Sequence, residues 1–219
     1  MKPIETLRRL VSGFLLHPEE LQIDVAPGDG SGTLEITLRA PRGDTCRLIG
    51  GGGKHFRALE FIVGRMGVKY MQPARLLPIP RSDFGPLDKN PKFEPKADWP
   101  KEEIIELLRE VCLACLNHEL LQITAADNGE YSTKLTVKVS TDEPLRIVEE
   151  FATALRELFD DIGKAKGRIL YIDMLPVLHP DGELAADAPK WDAAKGDWAN
   201  AGLKDFVPKG PKKLTKPKI

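Results

Sequence analysis

Apolar residues recur in two registers along this chain, and the switch from one to the other marks its elements. Ile4, Leu7, Val11, Phe14 and Leu15 fall three and four apart and predict an amphipathic helix at the start. Leu21, Ile23 and Val25 then alternate, turn-forming residues run from Pro27 to Gly32, and Leu34, Ile36 and Leu38 alternate again. That is the pattern of a hairpin with one buried face. A short helix is predicted from about Gly43 to Ile49, a longer one from about Lys54 to Met66, and an extended segment near Ala74 to Ile79. Between the two helices stand four consecutive glycines, Gly50 to Gly53.

The same order returns one hundred positions later. Leu21-Gln22-Ile23 recurs as Leu121-Gln122-Ile123, and the match runs back without gaps through Val11/Val111 and Arg9/Arg109. Leu135, Val137 and Val139 repeat the second strand at an offset of 101, and Ala154-Leu155, Leu158 and Gly163 repeat Ala58-Leu59, Ile62 and Gly67 at an offset of 96. A strand from Arg168 to Asp173 closes the second copy. The five missing residues fall at the glycine run, where the second copy reads Leu145-Arg146-Ile147-Val148-Glu149-Glu150-Phe151. It is expected to keep the fold without the loop.

Composition narrows the class. With 42% apolar and 30% charged residues in 219, the chain has an ordinary globular balance, and no apolar run approaches the roughly 20 residues of a membrane span. Glu5, Arg8 and Arg9 stand where a signal peptide needs its apolar centre, so a cytoplasmic location and no membrane partner are expected. Cys46, Cys112 and Cys115 are too few for a disulfide framework and read as reduced thiols. The net charge of -1 conceals an asymmetry: residues 1–80 carry +3, 81–100 are neutral, 101–178 carry -6 and 179–219 carry +2. Different segments are therefore expected to do different work.

A glycine run opening a helix, followed at once by Lys54, His55 and Arg57, suits an anion. Glycine permits sharp turns and close backbone approach, while the first N–H groups of the helix and its positive dipole end attract negative charge. A P-loop is excluded, because it would need glycine at Leu48 and a hydroxyl at His55. A dinucleotide fold would need a strand rather than a short helix feeding the loop.

The order helix, strand, strand, helix, Gly-x-x-Gly, helix, strand, centred on Leu48-Ile49-Gly50-Gly51-Gly52-Gly53-Lys54-His55-Phe56-Arg57-Ala58-Leu59, resembles the prokaryotic, type II KH domain, and especially the small bacterial single-KH RNA-binding proteins. The resemblance covers about residues 4–80, and 103–175 only through the repeat. It implies an α+β chain of two tandem KH-like domains, each a three-stranded sheet backed by three helices: residues 1–80 with the loop and 101–178 as a degenerate copy. It further implies that the loop clamps the backbone of single-stranded RNA, with no cofactor and no bond broken. Arg47, Lys54 and Arg57 are the candidates for phosphate contact, His55 adjoins them, and Leu48 and Ile49 are the candidate floor under the bases. The plainer reading makes Leu48 and Ile49 core and Arg57 a solvated helix residue. Gly51 and Gly52 depart from the family's polar or basic loop positions, which leaves binding to backbone N–H groups and the basic residues.

Other signals point elsewhere. Cys112, Cys115 and His118 have a loose metal-ligand spacing, but the cysteines continue the apolar stripe of Ile104, Leu108 and Val111, and no second cysteine pair completes a zinc site. No nucleophile, base and orienting group stand together, so an enzyme is not expected. Residues 81–100 read as a proline-rich connector in which Phe84, Phe93 and Trp99 favour packing. In the tail, 179–219, Trp191, Ala194, Trp198 and Ala201 suggest a short helix that docks on a domain or partner, followed by a basic stretch containing Lys209, Lys212, Lys213, Lys216 and Lys218. The acidic second copy and the Trp191/Trp198 segment are candidate protein contacts. A protein-interaction module with a vestigial loop is the alternative to an RNA binder, and single-stranded DNA the alternative ligand.

Overall fold

The computed structural model describes residues 3–28, 32–80, 94–96, 99–117, 120–140, 143–177, 190–192 and 197–199. It is a mixed α+β structure with, among the described residues, two three-stranded sheets, five α-helices and a short strand pair. The first half runs α1 (Pro3–Ser12), β1 (Gln22–Pro27), β2 (Leu34–Arg39), α2 (Arg42–Ile49), α3 (Lys54–Lys69) and β3 (Ala74–Leu76). The second runs α4 (Lys101–Cys115), β4 (Leu120–Asp127), β5 (Ser132–Ser140), α5 (Leu145–Ala165) and β6 (Ile169–Val177).

Both sheets have the same pairing. β1 is antiparallel to β2, with Ile23 opposite Leu38 and Val25 opposite Ile36, and β2 is parallel to β3. Likewise β4 is antiparallel to β5 and β5 parallel to β6. The parallel pair in each sheet requires a crossover, which α2 and α3 supply in the first half and α5 alone in the second. The second half is therefore corrected from three helices to two. Without glycine to turn the backbone, Val148, Phe151, Ala152, Leu155, Leu158, Phe159 and Ile162 make one buried stripe along an unbroken helix of 21 residues.

The helices of the two halves pack on one another, α1 against α4 and α3 against α5, and one apolar core runs through both halves. Leu7, Leu10 and Val11 of α1 are sealed in it with Leu108, Val111 and Cys112 of α4 and Leu59 and Ile62 of α3. Cys112 and Cys115 are thus core residues, as their apolar stripe suggests. Burial pushes the Cys112 thiol up to about 12 and raises that of Cys115 as well.

At the end of the connector, the Lys96 N–H donates to the Gly167 carbonyl (3.0 Å), and Arg168 stacks its guanidinium over Trp99 at 5.5 Å. Phe84, Phe93, His118 and the lysine-rich tail lie outside the described residues. The helix expected around Trp191 and Trp198 does not form. Instead β7 (Lys190–Asp192) pairs antiparallel with β8 (Asp197–Ala199), with Trp191 opposite Trp198. Tryptophan favours strands and cross-strand pairs, and Gly196 between the two segments disfavours a helix.

Candidate functional site

The glycine run leaves α2 and enters α3 through backbone that side chains rarely adopt. Gly50 has φ 69° and ψ 166°, and Gly52 and Gly53 follow at φ 63° and 78°. Gly50 is doubly constrained, since a Cβ there would stand 2.7 Å from the His55 ring. The Gly53 N–H closes the turn on the Gly50 carbonyl at 3.0 Å. Gly51 and Gly52 are exposed, and a Cβ at either would meet nothing within 4 Å. The loop thus offers bare backbone to an incoming group at the N-terminus of a helix of 16 residues, whose dipole favours an anion.

The segment before the loop is fixed from beneath. Asp44, in the first turn of α2, is fully buried and accepts hydrogen bonds from the backbone N–H groups of Leu16 (2.8 Å) and His17 (2.7 Å). This ties α2 to the chain leaving α1. Arg47 lies one turn on, its Nε 3.5 Å from Asp44 Oδ1 and its Nη2 buried without a partner. Arg47 is therefore drawn inward, away from the role of a free phosphate contact. Leu48 is fully buried and belongs to the core, which corrects the expectation that it floors a base groove, and Ile49 is half-buried.

Beyond the loop the three basic candidates part company. Arg57 is exposed, with its Nη1 3.4 Å from where a Gly53 Cβ would lie. Lys54 pairs with Glu157 of α5 at 2.9 Å. His55 is buried, at 2% exposure, and so is corrected from a surface contact to a support. Its Nδ1 lies 2.6 Å from the Arg47 carbonyl, its ring 5.3 Å from that of Phe14, and its Nε2 3.1 Å from Asp161 Oδ2. That last approach is close enough for an ion pair but is angled away from a straight hydrogen bond. His55 still holds the Asp161 carboxyl below the usual carboxylate range, chiefly by its hydrogen-bonding approach and against the opposing effect of burial.

A cleft of about 450 Å³ opens beside the loop between α3 and α5. Lys54, Arg57 and Phe61 line one wall, and Glu149, Glu150 and Glu157 the other. Arg146 stands 3.6 Å from Glu150 and leaves the cleft nearly neutral. Glu150 and Glu157 occupy the repeat positions of Lys54 and Phe61, so the cleft lies where the equivalent helices of the two copies face each other.

The glycine loop and Arg57, close in the chain, also lie side by side in the fold. The sequence gives no sign of Asp161, Glu157 or Phe14, because these meet the loop only through the packing of α5 and of the chain just after α1. The repeat alignment sets Asp161 against Arg65 and hints at a change of charge, though not at its partner. Among the described residues, no helix is long and apolar enough to cross a membrane. Comparison of the chain with protein-family models, with curated proteins and with solved structures finds no match.

Proposed function

We propose that this protein binds single-stranded RNA by gripping its phosphate backbone at Gly50 to Gly53, as the first of two type II KH-like domains. The observation that carries the reading is the loop itself. Two exposed glycines with open space above them sit at the start of a 16-residue helix, between elements in the KH order, with Arg57 alongside. Such a site needs no catalysis, because backbone N–H groups and one or two cations are enough to hold phosphates. The cleft beside α5, where Glu149, Glu150 and Glu157 balance Lys54, Arg57 and Arg146, offers phosphate no net attraction, which leaves the strand to the outer side of the loop.

A second reading has its own support: the near-neutral cleft and the Lys54–Glu157 pair suit a protein partner better than a polyanion. One experiment separates the two. Fluorescence anisotropy of a labelled ten-nucleotide RNA, at two salt concentrations, compares the intact chain with Gly51→Asp/Gly52→Asp, the fold of the variant being checked by circular dichroism. The RNA reading expects binding that weakens with a log-salt slope of about -0.7 per phosphate contact and is lost in the folded variant. Binding that survives in the variant turns the search to protein partners. A DNA oligonucleotide of the same sequence tests whether the 2′-OH matters.

A further inference from the structure

The first two residues of α3, Lys54 and His55, are both held by the second half of the chain, through Glu157 and Asp161 of α5. These two carboxylates are four apart on one helix and so share a face. Their grips differ in kind. The Lys54–Glu157 pair is more than a third exposed on the carboxylate side and spends a cation that phosphate would otherwise attract. His55 is buried and touches the loop where it begins. Its ring fills the space that a Cβ on Gly50 would need, and Nδ1 donates to the Arg47 carbonyl, since a carbonyl can only accept. Nε2 is left facing Asp161, and the Phe14 ring closes another side.

We propose that Asp161 is a positioning residue for the glycine loop, acting through His55, and that this is what the loopless second copy contributes to the RNA site. The inference rests on the RNA reading. Asp161 touches no ligand; it fixes the imidazole, which sets where α2 ends and where Gly50 turns. A loop of four glycines loses much conformational freedom on binding, so a support that orders it beforehand raises affinity without adding a contact. On this account Glu157 does the reverse, by holding Lys54 away from phosphate.

The two roles predict opposite signs for two substitutions of equal charge. Asp161→Ala and Glu157→Ala each remove one negative charge beside the loop, and electrostatics alone would make both tighten RNA binding. The proposal expects Glu157→Ala to bind a labelled ten-nucleotide RNA about threefold more tightly, the scale of one exposed pair. It expects Asp161→Ala to bind about fivefold more weakly, the scale of a lost preorganisation, with the log-salt slope unchanged because no phosphate contact is removed. Asp161→Asn, which keeps a polar group of the same shape toward His55, should recover part of the loss. In nitrogen-correlated NMR spectra of the RNA-free protein, the amide signals of Gly50 to Gly53 should move in Asp161→Ala and stay in Glu157→Ala. RNA binding that tightens in both alanine variants, or loop signals that stay in place in Asp161→Ala, overturns the proposal and leaves the RNA reading standing. If the unaltered chain binds no RNA, both fail together.

Discussion

Gly67 and Gly163, 96 positions apart in the repeat, both lie against the chain returning to the last strand of their sheets. A Cβ on Gly67 would stand 2.6 Å from the Ala74 nitrogen, and one on Gly163 would stand 2.7 Å from the Arg168 carbonyl oxygen. The same requirement is thus met by the same residue in each half. In both, the crossover helix approaches strand backbone too closely for any side chain.

Alanine at either position should destabilise the protein. Backbone cannot step aside as a side chain can, so Gly67→Ala and Gly163→Ala are each expected to cost about 2 kcal/mol, the range of overpacking. Gly64 is the control, lying within the same helix with nothing within 4 Å of its missing Cβ. Gly64→Ala should stabilise by about 1 kcal/mol through helix propensity. Urea denaturation of the three variants checks the contrast.

The contact between Arg9 of α1 and Glu110 of α4 joins the two halves, and the Glu110 carboxylate is buried, with Oε2 lacking a partner. Arg9→Met strips the remaining cation from a buried carboxylate and should cost about 3 kcal/mol. Replacing both, as Arg9→Met/Glu110→Leu, removes the buried charge and should restore most of that stability. A double-mutant cycle by chemical denaturation measures the coupling.

Stability should fall in acid partly through Asp161. Its carboxyl is lowered in the folded protein, so folding is favoured by this group above its ordinary value of 3.8 and loses that favour as pH drops through the lowered one. In that window the unfolded chain binds the extra proton, so unfolding is driven by acid. Thermal melts between pH 6 and about pH 3 should therefore fall less steeply for Asp161→Asn than for the unaltered protein.

The thiols should sort by depth. Cys112 and Cys115 are buried and their thiolates disfavoured, whereas Cys46 in the middle of α2 is half-buried. Timed labelling with a thiol-specific reagent should modify Cys46 first, with the other two reacting only on unfolding in guanidinium. Equal rates at all three would contradict the packing of α4.

Much of this fold is readable from local pattern. The apolar spacing of Leu7 and Val11, the alternation of Leu34, Ile36 and Leu38, and the 96-residue offset between Gly67 and Gly163 each depend on residues close in sequence or on simple repetition. So does the glycine loop, because glycine takes up the positive φ at Gly50, Gly52 and Gly53 with the least strain. The pairing of Trp191 with Trp198 is hidden in the sequence because a spacing of seven suits a helix face as well as a short hairpin.

What the tertiary structure alone decides is which side chains the loop retains for itself. Leu48 and His55 are candidates for a binding surface in the sequence, but the fold buries both. Lys54 is free in the sequence and paired in the fold, because Glu157 lies on a helix that starts 91 residues further along the chain. Burial and long-range ion pairing depend on how helices from two halves meet. That geometry arises from the summed packing of one shared core, which no local window of sequence contains.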